Sequence, residues 1–191
     1  MTVTKHERSD AVANRIRILG AARQVFAQRG MDAEVREIAE CAGVGVGTLY
    51  RHFANREDLF AALLQETLTL AITRAREAAQ CPDARDAVRA VVLSMAETHT
   101  RFGALLEAMS DPRAQHACPP HQDFAELAAV MTGIVQHGVE TGVFRTDVDV
   151  PVAVAMMLHS IGVFSVLAGE RTHAETAASL TSLFLAALGS R

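Results

Sequence analysis

The stretch GVGVGTLYRHF, residues 43–53, determines the fold that the sequence predicts. Three glycines at alternate positions disfavour a helix, because glycine loses more backbone freedom on folding than any other residue. The following residues are nevertheless typical of a short helix with polar side chains between the apolar Leu49 and Phe53. Gly43 suits a left-handed turn and Gly45 can cap a helix, which we expect from about residue 46 to 52.

Helical patterns continue on both sides of this stretch. We expect a first helix from a cap at Ser9 or Asp10 to a stop at Gly30, and a second over about 34–41. Asn55 can cap a longer helix over about 56–79, since Asp58 follows at the reciprocal capping position. Two short helices joined by a glycine turn are typical of a helix-turn-helix, whose second helix enters the major groove of DNA.

The remaining sequence also predicts helices, at about 84–101, 103–110, 121–141, 150–168 and 173–188. No segment alternates apolar and polar residues for long enough to indicate a strand. The predicted fold class is therefore all-α. The helix-turn-helix pattern predicts an N-terminal three-helix DNA-binding domain at residues 1–55, followed by a separate helical domain at residues 56–191.

Charge is distributed unevenly along the chain. The formal net charge is −4, but residues 1–56 hold nine Lys and Arg against six Asp and Glu, a net charge of +3. Residues 57–191 hold nine against sixteen, a net charge of −7. A basic segment on an acidic body can bind a polyanion locally, although a charged face is more often simply solvated.

Three cysteines, with no close pair among them, favour reduced thiols and a cytoplasmic protein. Residues 150–169 carry no charge and are long enough to span a bilayer. Pro151, His159 and Ser160 interrupt that apolar run, and no basic cluster flanks it. We expect a largely buried helix there, and no membrane partner.

The segments ILGAARQVFAQRG (18–30) and VREIAECAGVGVGTLYRHFANREDLF (35–60) resemble the tetracycline-repressor (TetR) family of transcriptional regulators. The resemblance covers roughly residues 15–63, and elsewhere it extends only to the layout. It implies contacts to a double-stranded DNA operator through Arg36, Val46, Gly47 and Tyr50 at bases, and through Thr48, Arg51, His52 and Arg56 at phosphates. Family members often have Thr or Ser before the second helix, where this chain has Glu34, so no phosphate contact is expected there.

The resemblance also implies that residues 56–191 form a homodimer and bind a small-molecule effector that releases a repressor from DNA. For the dimer interface we expect Met157, Ile161, Phe164, Ser165, Leu180, Phe184 and Leu188. For the effector pocket we expect Met95, His99, Phe102, Leu106, Met109, Phe124, Leu127, Met131 and His159. An ordinary intramolecular core is the alternative for both sets. The apolar character of the second set favours a hydrophobic or amphipathic effector.

Two other classes stay open on sequence alone. The loop with His116, Cys118 and His121 has metal-ligand residue types at a spacing that matches no standard zinc site. It could serve a metal-dependent enzyme or, together with Cys41, a metal- or redox-responsive regulator of the same fold. No nucleophile elbow, HExxH sequence or phosphate-binding loop is present, so we expect no enzyme, no catalytic residue, no metal and no cofactor.

Overall fold

The computed structural model describes residues 5–108 and 122–189. Within these residues the chain forms nine α-helices and no strand, which confirms the predicted all-α class. The helices are α1 (Lys5–Arg29), α2 (Val35–Ala42), α3 (Val46–His52), α4 (Arg56–Ala78), α5 (Ala84–Ala108), α6 (Gln122–Glu140), α7 (Val150–His159), α8 (Gly162–Val166) and α9 (His173–Leu188).

The described residues form two compact units. The head comprises residues 5–65 and 104–108, and the body comprises residues 66–103 and 122–189. The division into functional domains after residue 55 stays a prediction. None of the helices in the described ranges has the length and apolar character that a bilayer crossing requires.

Apolar side chains from four helices hold the head together. Phe26 of α1 and Phe60 of α4 meet edge to face with ring centroids 5.4 Å apart, and both are fully buried. Ile38 of α2 and Leu49 of α3 are also fully buried. Burying a side chain of this size contributes about 1.5–3 kcal/mol. Packing against α1 and α4, rather than helix propensity, therefore stabilises the short helices α2 and α3.

Side-chain caps fix the starts of α4 and α9. Asn55 Oδ1 accepts a hydrogen bond from the Asp58 N–H at 2.7 Å, which confirms the predicted cap before α4. Before α9, the Glu175 N–H donates to Thr172 Oγ1 at 3.2 Å and the Thr172 N–H donates to Glu175 Oε2 at 2.8 Å. This backbone hydrogen bond and a second from the Thr172 hydroxyl lower the pKa of the Glu175 carboxyl.

The predicted break at Gly103 is wrong, because α5 continues through it to Ala108. A Cβ atom at residue 103 would lie 2.8 Å from Cε1 of His99, one turn earlier. The position therefore needs glycine to make room for the imidazole ring. One glycine inside a long helix costs about 1 kcal/mol, which is too little to end the helix.

Two other helix boundaries differ from expectation. The first helix already includes Ser9 and Asp10, so neither residue caps it. The single helix expected over 150–168 is interrupted after His159. The buried Ser160 hydroxyl donates to the Met157 carbonyl at 2.6 Å, and such local side-chain bonding competes with the helical backbone pattern.

Candidate nucleic-acid interface

The turn between α2 and α3 is fixed by Gly43, whose φ is +63°. Its N–H donates to the Glu40 carbonyl at 3.1 Å, and the Val44 N–H donates to the Ala39 carbonyl at 3.0 Å. These two bonds form the motif that commonly ends a helix in a left-handed residue. Residues with a side chain lose about 1–2 kcal/mol in this conformation, so the fold itself requires glycine here.

The other two glycines of the stretch are not required by the packing of the chain. Gly45 caps α3 at a φ of −69°, which any residue can adopt. A Cβ atom at Gly45 would reach only Thr48 Oγ1, at 4.0 Å, and one at Gly47 would meet no atom within 4 Å. Both backbones are exposed, so the missing side chains let the surface of another molecule come close to the start of α3.

Four of the predicted DNA-contacting residues line one open groove of about 750 Å³ in the head. They are Arg36, Val46, Tyr50 and Arg56. Val46 is 37% exposed and Tyr50 is 50% exposed, so both side chains are accessible to a partner. The start of α2, one side of α3 and the start of α4 thus form a single concave surface.

The other four predicted contacts lie on α3 outside the residues that line this groove. Gly47 and Arg51 are exposed, whereas Thr48 and His52 are half-buried. All four belong to a helix of seven residues, and its only buried residue is Leu49.

Salt bridges separate the arginines of the head into two groups. Within the described residues, no hydrogen bond or ion pair engages the guanidinium of Arg36 or Arg51. In contrast, Arg29 lies 3.5 Å from a Glu37 carboxylate oxygen and Arg56 lies 3.1 Å from one of Glu57. Arg36 and Arg51 can therefore meet an incoming anion without giving up a carboxylate, whereas Arg56 cannot.

Glu34 has a role that the sequence interpretation missed. It is the N-cap of α2, and its side chain accepts from the Glu37 N–H while the Glu34 N–H donates to Glu37 Oε2 at 3.3 Å. This reciprocal cap replaces the usual Ser or Thr. The spacing Glu-x-x-Glu at residues 34–37 is the sequence pattern that could have predicted this cap. The carboxylate is engaged with the helix start, which agrees with leaving it out of the phosphate contacts.

The predicted effector-pocket residues occupy different environments. In the body, Met95, Phe102 and Met131 are buried, and Phe124 and Leu127 are half-buried. Met95, Leu127 and Met131 belong to one apolar cluster. His159, also in the body, is exposed, whereas Leu106 of the head is half-buried and Met109 lies outside the described residues.

His99 belongs to a chain of hydrogen bonds across three helices. Its Nε2 lies 2.7 Å from Ser165 Oγ and its Nδ1 lies 3.0 Å from His173 Nε2. His173 Nδ1 lies 3.2 Å from Thr100 Oγ1, which donates its proton to the Ala96 carbonyl. With both rings neutral, His173 must therefore donate to Thr100, His99 must donate to His173, and Ser165 must donate to His99.

The predicted dimer residues lie mostly inside the body. Met157, Phe164, Leu180 and Leu188 are buried within the single chain, while Ile161, Ser165 and Phe184 are half-buried. The large apolar side chains that these three helices expose are their neighbours Val152, Met156, Val166 and Leu183, which are 52–79% exposed. The four buried residues pack against their own chain, so the exposed neighbours and the three half-buried residues are the parts of these helices that remain accessible to a second copy.

The metal and redox alternatives have limited support from the described residues. His116, Cys118 and His121 lie outside them. Among the described residues no group of three His, Cys, Asp or Glu could hold a metal ion. Cys41 is exposed on α2, where its thiol donates to Gln24 Oε1 at 3.4 Å.

Comparisons with known proteins agree with this geometry. Residues 18–63 match the model of the family described as bacterial regulatory proteins, tetR family. The transcriptional repressor KstR2 of Rhodococcus jostii is 30% identical over 149 residues, which cover 73% of this chain and 72% of the repressor.

Solved structures share the fold over almost the whole chain. The ketosteroid transcriptional regulator KstR2 of Mycobacterium tuberculosis aligns with a TM-score of 0.72 at 23% identity, covering 93% of this chain and 95% of that one. The regulator FadR of Bacillus subtilis, solved with stearoyl-CoA, aligns with a TM-score of 0.76 at 20% identity, covering 91% and 98%.

Gly47→Ala should separate folding from DNA binding. We expect equal or greater stability, by up to about 1 kcal/mol, because alanine favours a helix over glycine and its Cβ meets no neighbour. DNA affinity should fall because the added methyl group would keep the DNA from approaching the backbone of α3. Urea unfolding and DNA anisotropy measure the two effects. A variant with unchanged DNA affinity would show that the DNA does not approach this backbone.

Arg36→Ala should weaken binding to the cognate DNA site by about 1–3 kcal/mol and reduce discrimination against random DNA. The guanidinium can offer a paired contact to a guanine edge. Arg29→Ala is the matched control, since it removes the same charge from an arginine that is already paired with Glu37. Equal losses on cognate and random DNA for Arg36→Ala would contradict base reading by this residue.

Proposed function

The chain belongs to the TetR family of bacterial regulatory proteins, and we propose that it is a repressor that a hydrophobic small molecule releases from its operator. That it is a DNA-binding transcriptional regulator follows from the family. The further step to repression is supported by the name of its Rhodococcus relative, a transcriptional repressor.

One observation carries the proposed DNA contacts: the groove of the head gathers Arg36, Val46 and Tyr50 from two different helices. Direct reading of bases would rest on Arg36 and Tyr50, with a van der Waals contact from Val46. Gly47 lets the backbone approach the bases. Thr48, Arg51 and His52 would bind phosphates, which fix the register without reading sequence. Arg56 would join them after exchanging Glu57 for a phosphate.

The proposed effector is apolar over most of its surface. The cluster of Met95, Leu127 and Met131 offers polarisable and aliphatic contacts without a fixed charge. The two structural neighbours named above add support for this class, since one is described as a ketosteroid regulator and the other was solved with stearoyl-CoA.

The hydrogen-bonded chain through His99 offers a route from effector to dimer. His99 lies on α5, whereas Ser165 and His173 lie on α8 and α9. An effector that draws a hydrogen bond from His99 has to replace one of these partners. Replacing that partner would shift the equilibrium between two arrangements of α8 and α9. The size of the shift equals the difference between the effector's binding free energies for the two arrangements.

The proposed homodimer uses the exposed sides of α7 and α9. Val152 and Met156 are one turn apart on α7, and Leu183 lies on α9. Exposed apolar side chains of this size on two helices of the body favour an interface with a second copy. A dimer would also present two recognition helices to the two halves of an operator.

The effector proposal predicts that stearoyl-CoA or a ketosteroid, added to the protein–operator complex, lowers the DNA anisotropy in a saturable way. Leu127→Trp should retain operator affinity but reduce this response, because the larger side chain fills apolar space. Leu93→Trp is the control, since Leu93 is 48% exposed on α5. A probe that binds the protein without changing operator affinity would contradict release by that class of ligand.

The dimer proposal predicts that Leu183→Glu and Met156→Glu each lower the mass in light scattering from twice the chain mass of 20.5 kDa to that of one chain. Placing a carboxylate in an apolar seam leaves it desolvated and unpaired. Operator affinity should fall when the dimer is lost. Leu93→Glu makes the same change at an exposed leucine elsewhere and should stay dimeric. A dimer that survives both substitutions would place the seam on another surface.

A further inference from the structure

Arg15 of α1 covers the aromatic ring that ends the recognition helix. Its Cζ lies 4.5 Å from the centroid of the Phe53 ring. Phe53 is 4% exposed, whereas Arg15 is exposed, so the cation covers a buried ring from the solvent side. Phe53 is the C-cap of α3, and its N–H donates to the Leu49 carbonyl at 3.0 Å. The cation–π contact therefore fixes Arg15 beside the last turn of α3.

No carboxylate among the described side chains neutralises the charge of Arg15. Within the described residues its guanidinium makes this ring contact and no ion pair or hydrogen bond. It shares this property with Arg36 and Arg51, the two arginines most available to DNA. A ring beneath a guanidinium holds it in place without occupying its five N–H donors. Arg15 is thus preorganised to bind an anion.

The dimensions of α3 indicate which anion lies there. Seven residues of α-helix are about 10 Å long, and the major groove is about 12 Å wide. A helix whose first residues contact base edges therefore brings its last residues close to the strand that borders the groove. Arg51 and His52 belong to the last turn of α3, and Arg15 lies over the ring of Phe53, the next residue.

We propose that Arg15 contacts a phosphate of the operator beside the C-terminal end of α3. Arg15 precedes the segment 18–63 that matches the family model, so the match assigns it no role. The inference rests on the proposed placement of α3 on DNA. It adds a contact from α1, outside the helix-turn-helix, that fixes the recognition helix along the groove.

The test compares Arg15→Gln and Arg15→Lys with the unmodified protein, titrated with operator and with a random duplex at several salt concentrations. We expect Arg15→Gln to weaken binding to both DNAs by a similar factor, about three- to tenfold, and to reduce the slope of log K against log salt by about 1. Arg15→Lys should keep the slope because it keeps the charge.

Arg101→Gln is the matched control. Arg101 also lies over an aromatic ring, 5.6 Å from that of Phe102, but it belongs to the body. Its removal should leave affinity and slope unchanged. An unchanged slope for folded Arg15→Gln, checked by circular dichroism, would overturn the inference. A loss of affinity for the operator alone, with random DNA unaffected, would also overturn it. If Arg15→Gln does not fold, Arg15→Ala takes its place in the same comparison. Failure of the unmodified protein to prefer any DNA would instead contradict the proposed function.

Discussion

The left-handed turn at Gly43 is the constraint on which the DNA-facing surface depends. Its two backbone hydrogen bonds end α2 and direct the chain into α3. Because of that change of direction, Arg36 on one helix and Val46 and Tyr50 on the other line the same groove. The three alternate glycines therefore do different things. Gly43 makes the turn, while Gly45 and Gly47 leave space above the backbone that the chain itself does not use.

Ion pairing then decides which positive charges are available on this surface. The first 56 residues carry a net charge of only +3. Glu37 and Glu57 engage Arg29 and Arg56, and the head keeps its available charge at a few positions near α3. A modest net charge can therefore support DNA binding, because the field at the contact depends on local distribution rather than on the sum.

The sequence predicted the head well because its signals are local. Glycines mark the turn and the start of α3, and the Asn55 cap marks the start of α4. The bounds expected for α9 were also correct. The body was harder because its last helices are apolar on more than one side. Helical periodicity cannot then decide whether Met156 or Met157, or Leu180 or Leu183, faces the core. The break predicted at Gly103 was wrong for a related reason. The role of this glycine depends on its contact with the ring of His99, and helix propensity carries no information about that contact.

The central claim is that α3 lies against DNA, and Tyr50 permits a direct test. The chain has one tyrosine and no tryptophan, so tyrosine emission reports this helix alone. The measurement follows Tyr50 emission and DNA anisotropy together while protein is titrated with DNA from upstream of its own gene or with a selected operator. The account predicts that both signals change with the same salt-sensitive dissociation constant and that random DNA binds far more weakly. Tight, specific binding that leaves Tyr50 emission unchanged would contradict the placement of α3 on DNA.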